Sequence, residues 1–408
     1  MPASRPSKAP TVAAFVCECD EQVRSSCKGL PRYGEHEGKQ YCVLHHPSKD
    51  KGLHFGKTLK RKLDDRDFDF RGVWFPDYAN FSGVTFTKWA DFTWAVFSTR
   101  AEFTSAVFSA NAYFSFVSFG GGVSFSRATF SEGAYFGYAA FSVEAIFTST
   151  VFDKEANFSY ATFKAYVTFA EGGKGEVFDS NSHLSFQFAR IENPDRFSFH
   201  TLTLRPHWFV NVDARKLEFI NVNWNWSGVS VKDEIKSAGE VWGHRLLAIA
   251  CRNLAVNSEE NHRYEEASRF RYMVMEAWRL ENLFGFAPWK LGWWYWLASG
   301  YGERVWRAFV VLIGVWLLAA AVYTQVGFVR WEPRVLSEQE AAEARRDEVG
   351  QPLRGWRALT YSLGVMTLQK PEPRPATDAA QAVVMLETIL GPVQAALLAL
   401  AIRRKFMR

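Results

Sequence analysis

Four cysteines and several histidines lie within about thirty residues near the start of the chain, and they are the ligand types that zinc prefers. Cys17 and Cys19 come first, Cys27 follows, and Cys42-x2-His45 can supply two ligands from one turn. Structural zinc takes four ligands in a tetrahedron, commonly three cysteines and one histidine. The spacing predicts a structural zinc knuckle built from Cys27, Cys42, His45 and either Cys17 or Cys19. The alternative is a flexible tail with incidental thiols.

An acidic residue interrupts the last apolar run of the chain. Glu387 lies within 379–402, and Val383, Gly391 and Gln394 share its helical face because they stand four or seven residues from it. A carboxylate inside a membrane is costly unless it faces water or a partner. The pattern predicts either a pore-lining face or a single interhelical hydrogen bond, and both interpretations are kept.

Two apolar runs, at about 305–328 and 379–402, are long enough to cross a membrane. An aromatic cluster before the first run is typical of a membrane–water boundary. Arginines before the first run and a basic tail after the second predict that both termini are cytoplasmic. An amphipathic segment at about 356–368 is too short to span, is halted by Pro371, and is predicted to be a re-entrant helix.

Phenylalanine returns every eleven residues along the middle of the chain, and a second set follows the first by five. A small residue stands two positions before most of these rings. Neither a helix nor a flat strand keeps such residues on one side, whereas a coil that turns a corner every five or six residues does. We therefore expect a right-angled β-solenoid. The two sets are Phe70, Phe81, Phe92, Phe103, Phe114, Phe125, Phe136, Phe147, Phe158 and Phe169, and Phe75, Phe86, Phe97, Phe108, Phe119, Phe130, Phe141, Phe152 and Phe163.

The order of these patterns predicts four parts. They are a zinc-knuckle-like segment (1–60), the solenoid (61–228), a helical hairpin connector (229–285) and a membrane domain (286–408). Apolar residues at helical spacing, interrupted near 257–261, predict the hairpin.

Composition narrows the class of protein. The net charge of +5 is small for 408 residues, so no nucleic-acid partner is expected. The clustered cysteines indicate a reducing compartment, and no apolar run follows the basic start, so no secretory signal peptide is predicted. No nucleophile, paired carboxylate or phosphate loop stands out, so no enzymatic activity is predicted.

The solenoid resembles the pentapeptide-repeat family in the variant that reads A-x-F-x-x-A-x-F, of which Ala90-Asp-Phe92-Thr-Trp-Ala95-Val-Phe97 is a good copy. This resemblance implies a right-handed quadrilateral β-helix. Some members of the family are acidic rods that mimic DNA, but no continuous acidic stripe is present here. The end of the chain, Leu390-Gly-Pro-x-Gln394-Ala-Ala-Leu-Leu-Ala-Leu-Ala-Ile-Arg-Arg-Lys-Phe, extends the likeness, so most of the chain is similar to bacterial pentapeptide-repeat membrane proteins with a channel-like tail.

The segment Tyr361-Ser-Leu-x-x-Met-Thr-Leu resembles the pore helix of potassium-type channels. The resemblance implies a two-helix pore module lined by Thr367, Gln369, Lys370, Glu387, Gly391 and Gln394. The glycine-rich filter is replaced by Thr367-Leu-Gln-Lys-Pro, so potassium selectivity is not expected.

Two functions remain open from the sequence. The first is a homo-oligomeric channel, with a tetramer as one form of assembly, whose cytosolic solenoid senses or binds something. The second is a membrane-anchored scaffold that recruits a cytosolic protein partner without conducting ions. Either would be a multi-pass protein of the bacterial inner (plasma) membrane, in contact with the lipid bilayer.

Overall fold

The computed structural model describes residues 15–27, 29–172, 177–178, 182–224, 243–281, 290–329 and 352–406. The chain divides into two compact units, Met1–Asn257 and Ser258–Arg408. The first holds the cysteine cluster and the solenoid, and the second holds most of the helices. The four-part division predicted from the sequence stays a prediction.

The first unit begins with a short β-hairpin and a helix. Strands Arg32–His36 and Lys39–Cys42 pair antiparallel around a turn at Glu37 and Gly38, both of which have positive φ. Short 3₁₀ helices span Arg24–Cys27 and Lys49–Lys51, and α1 spans Gly52–Asp64. The sequence analysis did not predict α1.

The solenoid is confirmed, with about seven coils. Successive coils stack their short strands into four parallel sheets of five, six, seven and four strands. In the regular part of the solenoid, residues twenty-two apart stand in register, such as Ala112 with Ala134. The alanines and phenylalanines of the repeat are buried. Phe114 stacks on Phe92 and on Phe136 with 4.9 Å between ring centroids in both pairs, so ladders of parallel rings fill the interior.

The strands of the four sheets are short. One sheet holds Ala90–Asp91, Ala112–Tyr113, Ala134–Tyr135, Glu155–Asn157 and His183–Ser185; the next Trp74–Phe75, Val96–Phe97, Ser118–Phe119, Ala140–Phe141, Thr162–Phe163 and Arg190–Ile191; the third Ala79–Asn80, Ala101–Glu102, Val123–Ser124, Ala145–Thr148, Val167–Ala170, Phe197–His200 and Glu218–Ile220; the fourth Thr85–Phe86, Val107–Phe108, Thr129–Phe130 and Val151–Phe152. A further parallel pair joins Thr203–Leu204 to Asn223–Trp224, and 3₁₀ turns span Pro194–Arg196 and Pro206–Phe209.

The helices after the solenoid are α2 (His244–Glu260), α3 (Tyr264–Leu280), α4 (Leu291–Ser299), α5 (Val305–Tyr323), α6 (Trp356–Met366) and α7 (Asp378–Phe406). Strands Phe328–Val329 and Arg374–Pro375 pair antiparallel. Helices α5 and α7 are confirmed as long and apolar enough to cross a membrane. Helix α6 coincides with the predicted short segment between them. Helix α7 continues through Pro392.

Candidate functional site

The predicted zinc ligands are brought together in the first unit. Cys17 lies in an extended stretch, Cys27 ends a 3₁₀ helix, Cys42 ends the second hairpin strand, and His45 follows in the next turn. All four are buried, and their sulfur and ring-nitrogen atoms lie within 4.8 Å of one another. A Cys3His set at this spacing could hold one metal ion.

The histidine is oriented as a metal ligand would be. Its Nδ1 faces the thiols, 3.3 Å from the Cys42 sulfur and 3.9 Å from the Cys17 sulfur. Its Nε2 lies 3.1 Å from the Arg71 carbonyl oxygen, to which an Nε2–H would donate. A metal-bound histidine commonly donates its second ring N–H in this way, which fixes the tautomer and the ring plane.

The cysteines and His45 of the cluster shift one another's pKa values because their sulfur and ring-nitrogen atoms are close together. Hydrogen bonds from neighbouring thiols, Cys19 first, lower the pKa of Cys17, and the contact with Cys17 raises the pKa of Cys27. Burial alone would lower the pKa of His45, but the thiols Cys17, Cys19 and Cys42 raise it to about 12. The backbone N–H of Cys42 also donates to the Cys17 sulfur at 3.2 Å. A divalent cation would neutralise this cluster, so the residues fit the ion.

Cys19, the alternative to Cys17, lies beside this set. Its side chain is buried, and its sulfur stands 4.0 Å from the Cys17 carbonyl oxygen. The four-residue cluster contains Cys17 instead.

The cysteine cluster covers the first coil of the solenoid. The Trp74 N–H, which starts the first strand of one sheet, donates to the Leu44 carbonyl at 3.0 Å. Lys51 Nζ donates to the same oxygen at 2.9 Å, and Val23 packs against Gly72 at a corner of the coil. A solenoid needs such a cap because its terminal strands otherwise present unpaired backbone groups.

In the second unit, Glu387 is enclosed by its own chain. It is 2 % exposed and accepts a hydrogen bond from Tyr323 Oη on α5 at 2.5 Å and another from Ser362 Oγ on α6. Both carboxylate oxygens therefore have a donor within one chain. This geometry favours the interhelical hydrogen bond over a free acid on a pore wall.

The other predicted pore residues are divided between two places. Gln394 is buried and its Nε2 lies 2.8 Å from the carbonyls of Ala298 and Ala308, while Gly391 packs against Met366. Thr367, Gln369 and Lys370 are exposed at the end of α6. One chain does not bring these residues into a single site, and their pore-lining role stays a prediction.

The sequence analysis missed a row of aromatic rings on the outside of the solenoid. Neighbouring rings in this exterior ladder have centroids 5.8, 4.7, 4.7 and 5.0 Å apart, and each ring is 39–51 % exposed. All five residues have φ between 55° and 60°. The spacing of twenty-two residues between the first four was a signal that could have revealed them, whereas the fifth follows after twenty-eight. They are Trp94, Phe116, Tyr138, Tyr160 and Phe188.

No family model, curated protein or solved structure matches this chain.

Proposed function

We propose that this protein is a membrane-anchored scaffold whose solenoid binds a protein partner along the exterior ladder. The observation that carries the proposal is five aromatic residues in left-handed backbone conformation on consecutive coils. This conformation costs a residue with a side chain about 1–2 kcal/mol relative to an ordinary one. Ser105 and Ser149 occupy other left-handed corners of the same solenoid. The fold itself therefore does not require a large ring at such a corner.

The geometry of the ladder favours a protein surface as its ligand. Ring faces are covered by the neighbouring rings at about one strand spacing. A sugar or a nucleobase that needs a free ring face therefore has little access along the row. Ring edges and the hydroxyls of Tyr138 and Tyr160 remain, and a partner's apolar and aromatic side chains can pack edge-to-face against them. Contiguous exposed apolar strips commonly mark protein-binding sites.

Helices α5 and α7 are the proposed anchor. Both helices are long and apolar, and the rest of the chain leaves most of their residues uncovered. Apolar helices that the chain leaves uncovered find a matching environment in a bilayer. We place both termini on the cytoplasmic side of a bacterial plasma membrane because of the arginines at the outer ends of these helices.

We further propose that the Cys3His cluster binds a structural zinc ion and that the solenoid is a right-handed quadrilateral β-helix of the pentapeptide-repeat type. All four ligand positions would be filled by buried protein groups, so the ion would stabilise the cap of the solenoid and leave no position open for substrate. Elemental analysis of the purified protein should find about one zinc per chain. Cys42→Ala should lose it, and Cys19→Ala should retain it.

A homo-oligomeric channel is the second candidate, and the placement of α6 is the observation that favours it. This helix of 11 residues packs between the two apolar helices: Trp316 Nε1 on α5 donates to the Leu359 carbonyl at 3.0 Å. A short helix held between two spans is the layout of a pore module. Thr367, Gln369 and Lys370 would then stand at the mouth.

Two measurements separate the candidates. A photo-crosslinking residue at Phe116 should capture a defined protein in cells. The same residue at Ser105 should not, and Phe116→Ser with Tyr138→Ser should abolish capture while membrane location persists. Reconstituted protein in planar bilayers should pass no current. Reproducible currents that change in Lys370→Glu would favour the channel. Equal crosslinking from Phe116 and Ser105, or capture that persists in the double serine variant, would contradict the scaffold.

A further inference from the structure

The second unit contains a groove where its apolar helices meet its polar ones. Its volume is about 1120 Å³, and it is lined from α3 by Ser268 and Arg269, from α4 by Leu297, from the start of α5 by Arg304 and Arg307, and from the end of α7 by Arg404. The arginines flank both apolar helices at their proposed cytoplasmic ends. The groove therefore lies at the level where lipid headgroups would be found.

The charges around the groove favour an anion. Four arginines line it against two carboxylates. Glu265 pairs with Arg269 at 3.3 Å, and Glu303 accepts from Arg404 Nη1 at 3.2 Å and also from Ser268 Oγ. Arg304 and Arg307 form no ion pair with any carboxylate in the part of the chain that the structure describes. The groove thus carries two formal positive charges in excess.

Arg304 and Arg307 are held in place by aromatic rings. The guanidinium carbon of Arg304 lies 4.5 Å from the Tyr272 ring centroid, and that of Arg307 lies 4.3 Å from the Trp296 centroid. Stacking of this kind fixes a guanidinium while its in-plane N–H groups stay available to a phosphate oxygen. The N-terminus of α5, which begins at Val305, adds the positive end of a helix dipole.

The groove also has an apolar lining along α5. Trp306 is 74 % exposed and Val310 is 49 % exposed, and both line the groove. A small hydrated anion would gain nothing from these apolar side chains. An amphiphile with a phosphate at one end and hydrocarbon at the other would contact both the arginines and the apolar lining.

We propose that this groove binds the headgroup of an anionic phospholipid, with its phosphate between Arg304 and Arg307 and its acyl chains along Trp306 and Val310. The proposal rests on the membrane anchoring of α5 and α7, and it adds a specific lipid to that anchor. Lipid bound here would tie the start of one apolar helix to the end of the other.

The test uses full-length protein purified in neutral detergent, titrated with phosphatidylglycerol and followed by native mass spectrometry. We expect bound phosphatidylglycerol to exceed bound phosphatidylcholine. Arg304→Gln with Arg307→Gln should weaken phosphatidylglycerol binding about tenfold or more, since both substitutions remove a positive charge that attracts an anionic lipid. Arg354→Gln with Arg357→Gln, which removes two exposed charges outside the groove, is the matched control and should bind as the parent does.

Additional variants and competitors identify the ligand and separate a loss of binding from misfolding. Arg304→Lys with Arg307→Lys keeps the charges but loses the stacked, planar guanidinium groups, so it should bind more tightly than the glutamine pair and more weakly than the parent. Trp306→Ala should weaken lipid binding, and inorganic phosphate or glycerophosphoglycerol should compete poorly. The proposal would be overturned if the two glutamine double variants bound phosphatidylglycerol equally. It would also be overturned if the parent bound phosphatidylcholine and phosphatidylglycerol equally. Strong competition by inorganic phosphate would replace lipid with a free phosphate.

Failure of the anchor would appear separately. Parent protein that stays in the soluble fraction of cells would contradict the membrane proposal, whatever the lipid titration shows. Protein that is membrane-bound but does not select phosphatidylglycerol would contradict only the lipid site.

Discussion

Phe114 and Phe116 show how one residue type serves two purposes in this solenoid. Phe114 is fully buried and stacks between the rings of the coils before and after it. Phe116, two positions later, is 46 % exposed at a left-handed corner and stacks in the exterior ladder. Whether a phenylalanine ring is buried in the solenoid therefore depends on its position within the coil and not on the residue type.

The same substitution should destabilise the protein strongly at Phe114 and only slightly at Phe116. Phe114→Asp puts a charge without a partner among stacked rings, and we expect the free energy of unfolding to fall by about 4 kcal/mol or more. Phe116→Asp should change it by about 1 kcal/mol or less, because aspartate tolerates the left-handed region. Chemical denaturation followed by circular dichroism measures both. Equal losses would refute the assignment of the interior.

At the scale of elements, the solenoid is closed at both ends by other parts of the first unit. The cysteine cluster and α1 cover the first coil. Near the other end, Asn257 on α2 is buried, and its Nδ2 lies 3.1, 2.9 and 2.7 Å from the carbonyls of Ala214, Arg215 and Leu217. The two N–H groups of this amide are thus shared among three backbone acceptors of the last coil.

Removal of this amide should loosen the last coils. In Asn257→Ala these carbonyls lose the side-chain donor, which costs about 1–3 kcal/mol. Amide hydrogen exchange of the full-length protein should quicken within 197–224 and stay unchanged within 90–141. Asn253→Ala, which removes one longer contact with the Val212 carbonyl at 3.3 Å, should have a smaller effect. Uniform exchange along the solenoid would contradict a capping role.

The first cap contains a buried lysine with a consequence for pH. Burial lowers the pKa of Lys51 to about 7, whereas an unfolded lysine titrates near ~10.4. Between these values the unfolded chain binds more protons, so stability should rise with pH across this window. We expect the rise to be steeper in the parent protein than in Lys51→Met, as measured by denaturation at pH values from about 6 to 10. Parallel profiles would show that Lys51 titrates normally.

Sequence reasoning reached the features that depend on neighbouring positions. The phenylalanine period predicted the solenoid because each coil repeats one local rule, and Cys42 with His45 were found because they share a turn. The choice between Cys17 and Cys19 was not reached, since it depends on the Cys42 N–H, 25 residues away. Likewise, Glu387 accepts hydrogen bonds from Tyr323 and Ser362, which lie 64 and 25 residues away in the sequence. Such pairs form only when the helices pack.

For the whole molecule, the proposed two-span topology predicts which segments are accessible on each side of the membrane. Tags after Met1 and at Arg408 should both be cytoplasmic, and a tag in 338–348, which lies outside the described residues, should face the other side. Protease protection in spheroplasts and inverted vesicles measures this. Opposite locations for the two termini would contradict the two-span anchor.

The exact register of twenty-two residues makes the solenoid divisible into interchangeable modules. Ala112 and Ala134 are equivalent positions on neighbouring coils. A deletion of 112–133 would join Asn111 to Ala134, bring Trp94 and Tyr138 next to each other in the exterior ladder, and leave both caps with their native contacts. The length of the exterior ladder therefore changes in steps of about 4.8 Å per coil. A gene encoding such a chain could lengthen or shorten its reach by unequal recombination without redesigning either end.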